Sequence, residues 1–272
     1  LSSLRSDLKW SSNFIKITAV IAITLLVATF LAGCGKGKVD PADVGVFKPI
    51  EVNGDISFTY QLYTPDAEEK VPIVIVFHGY GEDVNVPHCR IPDTLSAAEN
   101  QAVRPCYVMM PQVESNIYLA ASSRDALYQS LMDEADKLIK AGRVDGNRIY
   151  AMGNSFGGLG TTEFVEKFPD RVAAAIVMCP ALTYDDNSTR NLGLIKDVPL
   201  WFAQATNDNV IPITVSRSAV STLEAMGAKE VHLTEFSDEE MLSAGALVGY
   251  HQADFAVMAD DTFLEWLFEK SR

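Results

Sequence analysis

Gly153-Asn154-Ser155-Phe156-Gly157 sets a serine between glycines, after the apolar run Arg148-Ile149-Tyr150-Ala151-Met152 and before a helix-like stretch. Strand, then G-x-S-x-G, then helix is the context of a nucleophile elbow, a sharp turn that pushes a serine hydroxyl out at the top of a sheet. Glycines on both flanks permit the turn and let strand and helix pack closely. The pentapeptide alone would equally fit an ordinary Gly/Ser-rich turn. A serine hydroxyl is a poor nucleophile until a base takes its proton. The reading therefore stands or falls on a base, an acid to orient it, and donors for an oxyanion.

The chain has four histidines, His78, His88, His232 and His251. In open α/β sheets, catalytic groups gather at the carboxyl ends of strands. His232 lies inside an expected strand, Val231 to Phe236, where the sheet fixes its side chain. His88, beside Cys89, reads as a surface histidine. His78 follows the first buried strand directly, in His78-Gly79-Tyr80-Gly81, and reads as a structural residue that ties that loop down. His251 falls between the last strand and the last helix, on the loop expected to reach the elbow. By elimination it is the candidate base. Asp208 stands just past the apolar run Phe202-Ala203-Gln204-Ala205 and before a helix expected from Ile213, and is the candidate acid. Its alternative role is to cap that helix. Two backbone amides are the candidate oxyanion donors: Phe156, just after the serine at a helix N-terminus, and Tyr80, in the glycine-flanked turn after the first buried strand.

The elements that must position these residues alternate along the chain. Val46 to Tyr63 reads as a hairpin about Asn53-Gly54-Asp55. Val71 to Phe77 is near-continuously apolar, as buried parallel strands are. Pro92 to Gln101 reads as short helix or irregular, and Cys106 to Met110 as a strand. Ser123 to Ala141 carries Leu127, Leu131, Ala135, Leu138 and Ile139 at helical spacing. The elbow strand and the helix Gly157 to Phe168 follow. Then come strands Val172 to Cys179 and Val198 to Ala205, a helix Ile213 to Met226, the strand Val231 to Phe236, and a last helix Asp254 to Lys270. Gln112 to Ser122 is expected as a loop beside the site. Ser237 to Tyr250 is expected above the sheet, its acidic half Asp238-Glu239-Glu240 a solvated face. An antiparallel start followed by repeated strand–helix units implies an α/β class: a mostly parallel central sheet with helices on both faces.

Composition bounds the rest. The 272 residues are 48% hydrophobic, enough for one substantial core. A formal net charge of −14 argues against nucleic acid as a partner. No C-x-x-C or H-x-x-x-H spacing suggests a metal site, and no cofactor motif is evident. Arg5, Lys9 and Lys16 precede an apolar run from Ile17 to Ala32, shorter than the ~20 residues that usually span a bilayer. Charged, apolar and then small residues make a secretory signal. Leu31-Ala32-Gly33-Cys34 resembles a bacterial lipobox, which implies cleavage before Cys34 and acyl chains on that residue. The expected organisation is a signal peptide over 1–33, a lipid-anchored tether over 34–45, and a catalytic domain over 46–272. The expected location is the bacterial cell envelope, outside the cytoplasm and attached to a membrane. An exported compartment permits disulfides, and Cys89 and Cys106 could pair. Cys179, ending an apolar strand, reads as a buried free thiol.

With these residues in place, the chain resembles the α/β-hydrolase superfamily, and within it secreted esterases of the polyhydroxyalkanoate-depolymerase and feruloyl-esterase type. The resemblance rests on H-G-Y-G at 78–81, R-I-Y-A-M-G-N-S-F-G-G at 148–158, F-P-D-R-V-A-A-A at 168–175, N-D-N-V-I-P at 207–212, and Gly249-Tyr250-His251. The order Ser155, Asp208, His251 also matches the chain order of hydrolases built on this elbow. It implies an α/β-hydrolase fold and a serine carboxylic-ester hydrolase working through an acyl-enzyme, on small or polysaccharide-attached esters. Ser155 would attack, His251 move the proton and Asp208 orient His251. No cofactor or metal is implied. His251-Gln252-Ala253-Asp254 lacks the aromatic residue many relatives carry shortly after the histidine, and Ser237 to Val248 is insertion-like. Two alternatives stand beside it: a serine peptidase of the same fold, and a non-catalytic surface lipoprotein that binds a ligand.

Overall fold

Alternation along each central strand explains how one sheet serves two cores. In β3 (Val71–Phe77), Ile73, Ile75 and Phe77 enter one apolar cluster while Val74 and Val76 enter the other. In β5 (Val144–Asn154), Ile149 and Ala151 face the first and Tyr150 and Met152 the second. Successive side chains of a strand point to opposite faces, so a run apolar at every position is covered on both. This computed structural model describes residues 39–81, 90–185, 191–246 and 250–272, with Ser115 and Asn116 described in their backbone only. The signal segment, Cys34, His88, Cys89 and Gly249 lie outside those residues.

The other strands are β1 (Phe47–Asn53), β2 (Ser57–Tyr63), β4 (Tyr107–Gln112), β6 (Val172–Met178), β7 (Leu200–Ala205) and β8 (Val231–Phe236). They form an eight-stranded sheet in the order β1-β2-β4-β3-β5-β6-β7-β8. β1 pairs antiparallel with β2, and β2 with β4; from β4 to β8 all pairs are parallel. The expected hairpin and parallel sheet are both present. The helices Ala121–Lys140, Phe156–Lys167 and Thr214–Ala225 cover one face, with Leu127, Leu131, Leu159, Phe164 and Leu223 inward. The helices Arg90–Ser96, Ala253–Ala259 and Asp261–Glu269 cover the other, with Ile91, Leu95, Val257, Phe263 and Leu267 inward. Parallel strands bring the ends of β3, β5 and β7 to one edge, and with them Tyr80, Ser155 and Asp208.

Some elements differ from expectation. The stretch Asp254 to Lys270 is two helices, because Asp260 is extended (φ −110°, ψ 107°) and its carboxylate accepts from the Thr262 amide. Aspartate at an N-cap satisfies an amide that the preceding helix cannot, so a new helix starts there. The 112–122 region is not a plain loop: β4 extends to Gln112 and a short helix fills Ser115–Leu119. Of the segment expected as tether, residues 39–45 belong to the folded unit Val39–Arg272, and 34–38 lie outside the described residues. Asp40 caps a 3₁₀ turn at Pro41–Asp43, and the Gly45 amide donates to the Thr64 carbonyl at 2.9 Å. Asp238-Glu239-Glu240 forms the first turn of a helix, Asp238–Ser243, closed by a capping box between Ser237 and Glu240. Acidic residues there also favour the helix dipole.

Candidate active site

Ser155 sits between the end of β5 and the first turn of the helix Phe156–Lys167, at φ 62° and ψ −119°. A non-glycine residue at positive φ is strained and persists only where its surroundings hold it. Here the Ser155 amide donates to the Met178 carbonyl at 3.0 Å, and its carbonyl accepts from Leu159 and Ala181. The flanking glycines are required by close approach. A Cβ on Gly153 would lie 2.3 Å from the Gly157 carbonyl oxygen, and one on Gly157 would lie 2.0 Å from that of Phe77. Strand, turn and helix cross with no room for a methyl group.

The turn points Ser155 at His251. The His251 Nδ1–H donates to Asp208 at 2.8 Å, to Oδ2, with Oδ1 at 3.0 Å. A carboxylate only accepts, so that bond fixes the proton on Nδ1 and leaves Nε2 to accept from the Ser155 hydroxyl at 2.8 Å. The Asp208 side chain is fully buried, whereas the His251 ring is 17% exposed. Asp208 does not cap the following helix, whose N-cap Ile213 makes no side-chain bond. Its Oδ1 instead accepts from the Val210 and Ile211 amides at 2.9 and 3.0 Å, which folds the loop around the carboxylate.

A residue to which the sequence assigned no role completes this support. Gln204 is fully buried on β7. Its amide donates to Asp208 Oδ2 at 3.1 Å and to the Ile211 carbonyl at 2.6 Å, and its oxygen accepts from Ser216 at 2.6 Å. The available signal was one polar residue inside the apolar strand Leu200–Ala205. A buried amide must be paired, and this one is paired with the loop bearing the acid.

The remaining sequence candidates fall into place as follows. His78 is buried and donates through Nδ1 to the Gly79 carbonyl at 2.7 Å. Its Nε2 accepts from the Val113 amide at 3.4 Å, and its carbonyl accepts from the Tyr118 hydroxyl at 3.1 Å. It ties the turn to the 113–118 segment, as expected. His232 lies on β8, half-exposed, tilted against Trp201 and edge-on to Trp266. Cys106 and Cys179 are buried thiols. Tyr80 follows β3 in the turn containing Gly81 at φ 73°, and its ring meets the Phe156 ring at 6.0 Å. Phe156 also packs against Tyr118 at 5.4 Å and Tyr184 at 4.8 Å. Tyr80 and Tyr184, 57% and 45% exposed, are therefore exposed aromatic residues that both pack against the residue after the serine.

Cys179 Sγ, the Asp208 carboxylate and the His251 ring lie within 4.8 Å of one another, a spacing that a metal could use. Their atoms are already committed. Asp208 accepts the four bonds above, and Nδ1 of His251 carries its proton. Burial, and then the Asp208 charge, pushes the Cys179 thiol well up. A metal would take the thiolate, the form that this burial and charge disfavour.

Comparison with known proteins follows this geometry. The family model described as the prolyl oligopeptidase family matches residues 121–191. No curated protein matches the chain. A thermostable esterase of known structure superposes with a TM-score of 0.72 and 27% identity, over 85% of this chain and 64% of its own. The fold is that of the α/β-hydrolases. The acylaminoacyl peptidase of Pyrococcus horikoshii superposes with a TM-score of 0.58 at 15% identity, over 82% of this chain and 42% of its own. Est1E from Butyrivibrio proteoclasticus does so with 0.60 at 16% identity, over 81% and 98%. The chain thus spans under two thirds of the first two relatives and nearly all of the third.

Proposed function

We propose that the protein is a serine carboxylic-ester hydrolase that works through an acyl-enzyme. The unbroken hydrogen-bond chain Ser155–His251–Asp208, with Ser155 on a strained turn, carries this reading. Ser155 Oγ attacks the ester carbonyl as His251 Nε2 takes its proton, and Asp208 steadies the imidazolium. The Phe156 and Tyr80 amides hold the oxyanion. His251 returns the proton to the departing alcohol, and water then repeats the sequence on the acyl-enzyme. The likeness to the thermostable esterase supports ester chemistry. The exposed residues Tyr80 and Tyr184 suit a flat face, such as a sugar or an aryl group, which fits small or polysaccharide-attached esters of the depolymerase and feruloyl-esterase kind.

The protein from Gly35 onward should hydrolyse p-nitrophenyl acetate and take a fluorophosphonate label on Ser155. Ser155→Ala should lose at least about a thousandfold in turnover while still folding. Equal turnover in the two would remove the enzyme reading and leave the ligand-binding one. A peptidase is the second reading, favoured by the matched family model and the acylaminoacyl peptidase. Faster cleavage of peptide anilides than of matched esters would select it. The lipobox-like Leu31-Ala32-Gly33-Cys34 supports export and a lipid anchor in the cell envelope. Cys34→Ala should then release the protein from membranes, and unchanged retention would refute the anchor.

A further inference from the structure

The base rides on a loop whose own backbone is strained. Tyr250, just before His251, has φ 58°, and the next helix begins only at Ala253. Such a conformation needs outside support. The support is visible at the His251 carbonyl. It accepts from Asn154 Nδ2 at 3.1 Å, and it shares the single proton of the Cys179 thiol, 3.2 Å away, with Asn154 Oδ1. The thiol also lies 3.0 Å from Asn154 Oδ1. A protonated thiol facing Oδ1 sets the direction of the Asn154 amide, so that its N–H₂ points to His251.

Both donors belong to the elbow side of the molecule. Asn154 ends β5 immediately before Ser155. Cys179 follows β6, is held at φ 32°, and donates its own amide to the Ala203 carbonyl at 2.9 Å. Asn154 is thus fixed to the strand that carries Ser155, and Cys179 is bonded to the strand that leads to Asp208.

We propose that Asn154 and Cys179 are positioning residues that clamp the His251 main chain, so that one imidazole reaches Ser155 and Asp208 at once. This rests on the proposed role of His251 as base. Neither residue touches a reacting atom. Their effect is to convert a long, strained loop into a fixed platform. The bond from Asn154 couples the placement of the base to the strand that places the nucleophile, across 97 residues of chain.

Asn154→Ala should lower kcat on p-nitrophenyl acetate by about tenfold to a hundredfold, the scale of a small misplacement of a catalytic group. KM should stay within about twofold, because no substrate contact is lost. The low-field proton resonance of His251 Nδ1–H should broaden or shift as its bond to Asp208 loosens. Cys179→Ala should lose severalfold in kcat, and Cys179→Ser, which restores a donor, should recover it. Wild-type kcat with an unchanged resonance in Asn154→Ala would overturn the clamp. If Asn154→Ala does not fold, equal kcat in Cys179→Ala and wild type would overturn it instead. Wild-type turnover no better than that of Ser155→Ala would mark failure of the catalytic reading, and the resonance would still test the clamp.

Discussion

The helix Phe156–Lys167 carries a buried polar cluster at each end, and the two follow different rules. At its start, Ser155, His251, Asp208, Gln204 and Ser216 form one line of hydrogen bonds with one ionised side chain, Asp208. At its far end, Arg124 is 1% exposed and donates to Glu163 through Nε and Nη2 at 2.7 and 2.8 Å, and to Asp185 at 2.6 Å. Tyr128 donates to Glu163 as well. Glu166 completes that cluster, with Oε1 buried and without a hydrogen-bond partner among the described residues. The first cluster is set by direction: every donor in it is aimed at an acceptor. The second is set by charge count: one guanidinium bridges two carboxylates, one positive charge short of balance, and a third carboxyl, Glu166, stands beside them. Directional networks fail in function when one atom changes, whereas charge clusters fail in stability.

Asp208→Asn offers the largest contrast. An amide in place of the carboxylate reverses the preferred tautomer of His251, and turnover should fall by about 10⁴. The Val210 and Ile211 amides can still bond the remaining oxygen, so the urea midpoint should move little. A large loss of stability with modest loss of turnover would reverse the assignment of the two clusters. Arg124→Met is the mirror experiment. It leaves the part-buried Glu163 and Asp185 without their cation, which should cost about 1.5–3 kcal/mol in urea unfolding. Turnover per folded molecule should fall far less than in Asp208→Asn. A change under about 1 kcal/mol would show that the ion pairs are not holding the helix ends.

The same contrast explains what the sequence made legible. Ser155 and Asp208 each stand just past an apolar strand run, so the strand pattern located them without tertiary knowledge, and His251 followed by elimination among four histidines. The double-sided core was legible for the same reason, since β3 and β6 are apolar at every position. Arg124 was not, because a charge on a helix normally faces water, and only the distant Glu163 and Asp185 make its burial tolerable. Gln204 and Asn154 read as incidental polar residues at strand positions, because their partners are fixed by packing rather than by spacing. The break at Asp260 was hidden by a helical pattern that continues through it; the Asp-Asp-Thr cap signal is local and competes with that period.

Glu166 gives the smallest effect and the most specific one. Burial, then the nearby Glu163 charge, pushes its carboxyl up to about 8, against a bond from Asn191 that favours the ionised form. The folded protein therefore holds a proton on Glu166 that the unfolded chain releases at the ordinary carboxylate pKa of 4.5. Where the native state binds more protons, stability falls as pH rises. The contribution of this proton is complete below about pH 4.5 and is lost progressively as pH climbs through about 8. Glu166→Gln keeps the shape, retains a neutral group and cannot ionise. Urea midpoints of the two proteins should agree near pH 5 and separate by pH 9, with the glutamine protein more stable by on the order of 1–3 kcal/mol. Turnover at fixed pH should be unchanged, since Glu166 shares no hydrogen bond with the Ser155 line. Parallel midpoint curves would mean that Glu166 is ionised in the fold and that the charge count proposed for this end of the helix is wrong.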